Sequence, residues 1–288
     1  MTVSSVITRF APSPTGRLHL GHAFSAIRAH DFARAAGGRF LLRIEDIDPG
    51  RSREGFVAGI VEDLRWLGLA WDGETVCQST RFARYGEALD VLDGQGLIYP
   101  CFCTRADIAA AATAPHGPEG AIYPGTCRRI AAPERLRRMA TEPHCWRLDM
   151  LGAINRAGPL AWHDETAGLV TAVPEEQGDV VLARKDAPVS YHLAVTVDDA
   201  AQGVSDVVRG VDLFVATHVH RLLQALLGLP TPRYHHHPLL TDAEGHRLAK
   251  RTGAPTLADL RAAGADPAAL VVDLRRGRLP VGFGLGSA

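Results

Sequence analysis

The chain of 288 residues contains no run of 18 or more apolar residues, which excludes a conventional membrane-spanning helix. Met1 to Arg9 has neither the basic nor the apolar stretch of a secretory signal and reads instead as the approach to a strand. Without an export signal the expected location is the cytoplasm, where disulfides are not expected. An excess of charge of one sign is also missing. Lys and Arg number 31 against 32 for Asp and Glu, a net charge of −1, so no strongly basic surface declares a nucleic-acid partner. Local basic patches are enough for RNA, and Arg128, Arg129, Arg135, Arg137 and Arg138 form one, either a solvated helix face or an RNA-facing one. There is no internal repeat and no long low-complexity segment. Cysteine is scarce, with five residues in all.

Three of those five stand close together. Pro100 precedes Cys101, Cys103 follows, and Tyr123 and Cys127 close the group within 27 positions. Three thiolates and a phenol oxygen make a tetrahedral donor set for zinc, and because they fill four positions the ion is expected to be structural. Cys77 and Cys145 stand outside the group and read as packing residues, since free cysteine behaves as a small hydrophobe.

Hydrophobic residues make up 46% of the chain and charged residues 22%, the composition of a globular protein with one large domain or two smaller ones. Val3 to Phe10 is β-rich, and Ala11 to Gly16, with two prolines, must be a loop. Leu20, Phe24 and Ile27 recur at helical spacing between His19 and Ala36, and Gly37-Gly38 stops the helix. Phe40 to Ile44 reads as a second strand, followed by the charged turn Glu45 to Gly50. Phe56, Val57, Ile60, Val61, Leu64 and Leu67 make the stripe of a second helix. Strand, helix, strand, helix predicts a parallel sheet with right-handed crossovers.

Further along, Arg81 to Gln95 reads as helix. Leu160 to Val170 and Val180 to Leu182 read as short strands, Tyr191 to Val197 as a buried strand, and Val211 to Leu227 as a helix ended by Gly228 and Pro230. Tyr234 to Leu240 reads as a strand, Asp242 to Gly253 as a mobile basic loop, and Thr256 to Arg275 as a helix. The expected fold is α/β, a Rossmann-like parallel sheet with helices on both faces. A first half over 1–98 and a second half over 189–240 flank an insertion over 99–188 that carries the zinc knuckle, and residues 241–288 form a loop and a short helical end.

Two motifs carry chemistry. In Pro12 to His22 a strand feeds a loop that feeds a helix with two imidazoles in its first turns. Helix N-termini favour phosphate through unpaired N–H groups and the macrodipole. His19 and His22, three apart, lie on nearly one side of the helix, and Gly21 between them lets a flat base approach the backbone. More than 220 positions later Gly245-His246-Arg247-Leu248-Ala249-Lys250-Arg251 makes a basic loop after a strand, and Lys250 there can act as a point charge on a triphosphate. Each motif taken alone also has a plain reading, as a capped helix and a solvated loop.

Together they resemble the HIGH and KMSKS signatures of class I aminoacyl-tRNA synthetases. Arg9 to Gly16, Arg43-Ile44-Glu45-Asp46-Ile47-Asp48, Tyr191 and Val208-Arg209-Gly210-Val211-Asp212-Leu213 resemble the glutamyl branch, and the resemblance covers essentially the whole chain. Only about 37 residues follow Arg251, too few for an anticodon-binding domain. Val195, where glutamyl-tRNA synthetases have Asn, and the Cys101, Cys103, Tyr123, Cys127 set are similar to a shortened paralogous family, the glutamyl-queuosine tRNA(Asp) synthetases.

That resemblance implies a ligase that forms glutamyl-AMP from L-glutamate and ATP without tRNA, then transfers glutamate to the queuosine base in the anticodon of tRNA(Asp). It implies that Arg9, Ala11 and Ser13 line the glutamate pocket, that Glu45 takes the substrate ammonium, and that Tyr191 and Arg209 reach its carboxylate side. Thr15, His19, Gly21, His22 and Lys250 would bind ATP, with His19, His22 and Lys250 catalytic. Mg²⁺ accompanies ATP, and the partners are L-glutamate, ATP and queuosine-bearing tRNA(Asp), with no membrane and a monomeric chain. Arg247 and Ala249 depart from the KMSKS pattern; Arg247 keeps the charge, Ala249 loses one hydroxyl and Lys250 remains, so activation is expected to be slower or weaker at worst. His235-His236-His237 reads as strand packing that flanks the ATP pocket, or else as a metal site. The alternatives are a glutamyl-tRNA synthetase core that charges a tRNA 3′ end, a catalytically silent zinc-stabilised RNA-binding paralogue and, more distantly, a pantothenate-synthetase-like ligase.

Overall fold

A computed structural model of the chain describes residues 5–104, 106–108, 122–242, 255–279 and 283–286. Its first strand, β1 (Ile7–Phe10), pairs in parallel with β2 (Arg39–Ile44), from Ile7 opposite Arg39 to Phe10 opposite Leu42. The crossover between them is α1 (Leu20–Ala35). Alanines at 23, 26, 29 and 33 fill its buried face, so the helix lies close enough for the Thr8 hydroxyl to donate to the Ala29 carbonyl at 2.8 Å. After Gly37, at φ 64°, the chain passes so near β1 that a Cβ on Gly38 would sit 2.2 Å from the Val6 carbonyl oxygen, and only glycine fits. α2 (Glu54–Trp66) follows, and β3 (Val76–Cys77) extends the sheet in parallel beyond β2.

On the other side of β1 lies β9 (Asp206–Gly210), tied through Ser205, whose N–H donates to the Ile7 carbonyl at 3.0 Å. β10 (Arg233–His237) pairs in parallel with β9, and β6 (Ala161–Asp164) with β10. β7 (Gly168–Thr171) closes that edge as the antiparallel arm of a hairpin. Side chains alternate across the sheet with period two. Phe10, Phe40, Leu42 and Ile44 face α1, while Arg9 and Arg43 face the helix α6 (Tyr191–Ala201) on the opposite side.

A second sheet, fully antiparallel, joins β4 (Ile98–Cys101), β5 (Cys145–Leu148) and β8 (Val181–Ala183). Beside it lie α4 (Ala132–Met139) and α5 (Met150–Ala157), and α3 (Phe82–Gly94) leads into it. α7 (Ala216–Leu226) packs on α6 in a core of its own with Tyr85, Leu148 and Leu182. At the C-terminal side β11 (Leu240–Asp242) pairs antiparallel with β12 (Phe283–Leu285), with α8 (Leu257–Ala262) and α9 (Pro267–Arg275) between them in sequence.

The α/β class and its parallel core match the expectation from sequence. Tyr191 to Val197 is not a strand but the first two turns of α6. Leu193 through Asp199 are all buried, so the helix is covered on every side and shows no apolar stripe against a polar one to read. The helix expected over Thr256 to Arg275 is two helices, parted by Gly264 at φ 76° and restarted by Pro267 behind the Asp266 cap. The helix expected from Val211 begins with a 3₁₀ turn over Val211–Leu213, and α7 starts at Ala216. β6 and β7 fall within the stretch 99–188 read as an insertion, yet β6 pairs with β10 of the parallel sheet. Among the described residues no helix is long and apolar enough to cross a membrane.

Candidate active site

A cleft of about 430 Å³ opens at the C-terminal ends of β1, β2 and β9. Ten of the residues singled out from sequence line it: Arg9, Ala11, Ser13, Thr15, His19, Gly21, His22, Glu45, Tyr191 and Arg209. Lys250 and its loop lie outside the described residues. The chain on either side of that loop is anchored at the cleft: Leu240 lines it, and Thr256 bridges to His19 while the Leu257 N–H donates to the Leu18 carbonyl at 2.9 Å.

His19 is the N-cap of α1, and the two histidines cap the helix reciprocally. The Gly21 N–H donates to His19 Nδ1 at 3.1 Å and the His19 N–H donates to His22 Nδ1 at 3.2 Å. An imidazole that accepts at Nδ1 carries its proton on Nε2, so the network assigns both rings as Nε2–H donors. The rings lie 3.9 Å apart, tilted by 43°. Gly21 is needed for a reason the sequence did not suggest: a Cβ there would lie 3.0 Å from His19 Cε1, so glycine makes room for the capping ring.

At the other end of the cleft Arg9 and Arg43 share one carboxylate. Arg9 Nε donates to Asp199 Oδ1 at 2.9 Å and Arg43 Nη1 to the same oxygen at 2.8 Å, with a further bond from Arg43 to Gln202. Arg43 is wholly buried, and its other Nη lies 3.5 Å from Glu45 Oε1. Burial raises the Asp199 carboxyl, but the Arg9 and Arg43 guanidiniums outweigh it and hold it below the usual carboxylate range. Glu45 is the reverse case: burial pushes it up and the same arginines only partly offset that. Two cations and two carboxylates therefore meet at this end of the cleft, where Arg9 and Glu45 reach its lining.

Arg209 stands across the cleft and donates to Tyr191 Oη at 3.3 Å. Behind it lie neutral histidines. Burial, then the Arg209 charge, lowers His192 to about 4, and His220 is depressed for the same reasons. Strand alternation sorts the three consecutive histidines. His237 packs on Phe24 and His235 on Phe32, both of α1, while His236 points to the other face and touches Arg209. His237 lines the cleft, so this run flanks the pocket, and its rings serve three separate contacts instead of one ion. Asp199 and His220 went unnoticed in the sequence, where Arg43 stood only as part of a family motif and His236 only within the run of three histidines. The available signal for the first was the adjacent pair Asp198-Asp199 in an otherwise apolar run, where two carboxylates need two sets of cations. Asp198 is indeed bound by Gln78, Arg81 and Tyr85.

The cysteine group closes as expected. The sulfurs of Cys101, Cys103 and Cys127 lie within 4.8 Å of one another. Cys103 Sγ is 3.6 Å from Cys127 Sγ and 3.7 Å from Tyr123 Oη. Donors about 2.3 Å from a tetrahedral ion are separated by about 3.7 Å, so Cys103 stands from Cys127 and from Tyr123 at the spacing such a site requires, and the three thiols could hold a metal ion. The Cys127 N–H donates to Tyr123 Oη at 2.7 Å and the Arg147 guanidinium lies 4.0 Å over the tyrosine ring, which fixes the phenol in place. Cys145, read from sequence as standing apart, is the cross-strand partner of Cys101. Cys145 beside it is the chief cause that holds the Cys101 sulfur down to about 4. Cys77 packs at the edge of the main core, as a packing residue should. In the basic stretch Arg128 pairs with Asp179, Arg137 with Glu134 and Arg138 with Glu142, and Arg135 donates to the Ile130 carbonyl, so four of its five arginines are tied to local partners.

A parallel sheet whose first crossover helix starts on two imidazoles, with a charged amino-acid-sized pocket at the strand ends, defines the catalytic domain of a class I aminoacyl-tRNA synthetase. The pattern of tRNA synthetases class I (E and Q), catalytic domain, matches residues 5–282. The chain belongs to that class and, within it, to the family of glutamyl-Q tRNA(Asp) synthetases. It is 51% identical to the glutamyl-Q tRNA(Asp) synthetase of Rhodobacter capsulatus, over 94% of this chain and 99% of that one. It is 47% identical to that of Symbiobacterium thermophilum, over 91% of this chain and 83% of that one. Among solved structures it resembles a glutamate tRNA ligase from Elizabethkingia meningosepticum in complex with its amino acid, with a TM-score of 0.77 and 25% identity. The match covers 94% of this chain and 60% of that one, so the chain spans about three fifths of the longer ligase. The protein is an enzyme, a ligase that uses ATP.

Proposed function

We propose that this enzyme activates L-glutamate with ATP to glutamyl-AMP without tRNA, and then transfers the glutamyl group to the queuosine base in the anticodon of tRNA(Asp). The observation that carries the proposal is the single cleft with two ends, one ringed by Arg9, Glu45, Tyr191 and Arg209 and the other formed by the His19-x-Gly21-His22 start of α1. The names of the relatives support the choice of acceptor.

In the first step an oxygen of the glutamate α-carboxylate attacks the α-phosphorus of ATP, the bond to the bridging oxygen breaks, and pyrophosphate leaves. Arg9, Ala11 and Ser13 line the glutamate site, Glu45 takes the ammonium, and Tyr191 and Arg209 face a carboxylate. Thr15, Gly21 and the Nε2–H groups of His19 and His22 bind ATP, and Lys250 joins them at its phosphates. The enzyme contributes alignment and electrostatic stabilisation of charge that grows on phosphate oxygens. Mg²⁺ bound with ATP would supply further neutralisation of the phosphates. In the second step a hydroxyl of the queuosine ring attacks the acyl carbon, an ester forms and AMP leaves. No covalent enzyme intermediate is needed, because the mixed anhydride is already reactive.

Cys101, Cys103, Tyr123 and Cys127 would hold one structural zinc ion in the insertion over 99–188. The halves over 1–98 and 189–240 would form the catalytic body, which acts as a monomer in the cytoplasm. The test is amino-acid-dependent ATP–pyrophosphate exchange with glutamate, glutamine or aspartate in the absence of tRNA. Exchange with glutamate alone is expected. Exchange that starts only when tRNA is added would replace the proposal with ordinary glutamyl-tRNA synthesis, and none in either condition would favour a silent RNA-binding paralogue.

A further inference from the structure

Arg209 has five N–H donors, and each has an acceptor within the protein. Nε donates to His236 Nε2 at 3.2 Å, one Nη to the Leu213 carbonyl at 3.1 Å and Thr217 Oγ1 at 2.6 Å, and the other to Tyr191 Oη at 3.3 Å, with His220 Nδ1 at 3.4 Å. A guanidinium cannot accept a hydrogen bond, so His236 Nε2 must present its lone pair and the ring proton must sit on Nδ1. That proton points to Asp164 Oδ2 at 2.7 Å. Asp164 is 1% exposed and its side chain also receives the N–H groups of Thr166 and Ala167, both at 3.0 Å, and of His236 at 3.3 Å. These donors keep it an anion despite burial. Tyr234 stacks on the His236 ring within 2° of parallel, while Trp162 and Phe214 close its sides, so the ring plane is held as well as its proton.

Asp164 is the last residue of β6, the strand the hairpin β6–β7 adds beside β10. We propose that this hairpin supplies a positioning relay to the amino-acid pocket, in which Asp164 sets the tautomer of His236 and His236 sets the guanidinium of Arg209 behind Tyr191. Asp164 and His236 do not line the cleft; they act through Arg209. The relay rests on the reading of Tyr191 and Arg209 as part of the glutamate site.

Two variants separate positioning from simple support of the fold. His236→Leu removes the acceptor, whereas His236→Gln keeps a carbonyl for Arg209 and an amide donor for Asp164. In tRNA-free pyrophosphate exchange His236→Leu should raise KM for glutamate about tenfold or more, with KM for ATP changed less than about twofold, and His236→Gln should recover most of the loss. Ring ¹⁵N shifts of His236 in the full chain, assigned by their disappearance in His236→Gln, should show the proton on Nδ1 at neutral pH, and Asp164→Asn should abolish that preference. The relay is overturned if the wild type is active and KM for glutamate is unaltered in His236→Leu, if both His236 variants lose all constants alike, or if the proton is found on Nε2. A wild type without glutamate-dependent exchange would instead overturn the pocket reading itself, and the purpose of the relay with it.

Discussion

The cleft and the cysteine group are assembled in opposite ways. Cys101, Cys103, Tyr123 and Cys127 come from one short stretch, the end of β4 and the turn Thr126–Arg129, and their donors meet because the chain folds back on itself locally. In the cleft, Arg9 meets Asp199 across 190 positions and Arg43 meets it across 156. A local group is a unit that can be lost alone. A group gathered from β1, β2 and α6 exists only when the whole parallel sheet exists, so its binding chemistry and the stability of the fold rest on the same residues.

The strongest way to break this contrast is Asp199→Ala. It strands two buried guanidiniums, and loss of one partner in a buried ion network costs about 3–5 kcal/mol. Denaturant unfolding should show that loss, and glutamate-dependent exchange should fall by about 100-fold or more as Arg9 loses its geometry. Unaltered stability would mean that Gln202 and Glu45 suffice for the arginines, and that the cleft does not share its residues with the stability of the fold.

Acid probes the same coupling. His192 and His236 are held down to about 4 and His220 below its ordinary value, first by burial and then by Arg209. Their folded values lie below their unfolded ones, so the unfolded chain binds more protons in between. Stability should then be full above about pH 6.5 and fall as pH drops toward 4, by a few kcal/mol in total. Glu45, raised by burial, works in the opposite sense and reduces but does not reverse the slope. Urea unfolding at pH 7 and pH 5 measures it; equal stability at both would show that these rings gain protons without cost.

A smaller effect is expected at Gly21→Ala, where the new methyl presses on the His19 ring at 3.0 Å. The exchange rate should fall about tenfold through misplaced phosphate donors, with melting temperature nearly unaltered. Rates equal to wild type would show that the ring can shift without consequence. The smallest effect on activation sharpens the contrast from the other side. Cys103→Ser should lower the metal bound per chain and loosen β4, β5 and β8 in hydrogen exchange, while tRNA-free pyrophosphate exchange stays within about threefold of wild type. A large loss of exchange would show that the cysteine group and the cleft form one cooperative unit.

The same contrast governs what could be read from residues alone. Strands β1 and β2, helices α1 and α2 and the cysteine group were legible because each is written in neighbouring residues: alternation, a 3.6-residue stripe, glycine stops, donor spacing. Nearly all cleft residues singled out in advance do line the cleft, because the resemblance of their motifs to a known family carried long-range information that periodicity does not. The helix α6 was misread because burial on every side erased its period, and with it went Asp199, whose partners lie on two strands far away in sequence. His236 looked like one of three equivalent rings until strand pairing sent it to the face opposite its neighbours.

By itself, then, the order of residues determined the α/β class, the histidine-capped start of α1 and the sulfur cluster, since short-range sterics and hydrogen bonding select these wherever the chain goes. Only the tertiary structure decided that Asp199 serves two arginines, that Gly21 yields space to His19, and that a hairpin read as part of an insertion delivers Asp164 to His236. A buried charge acquires its partner through packing of distant elements, and no local pattern records which partner that will be.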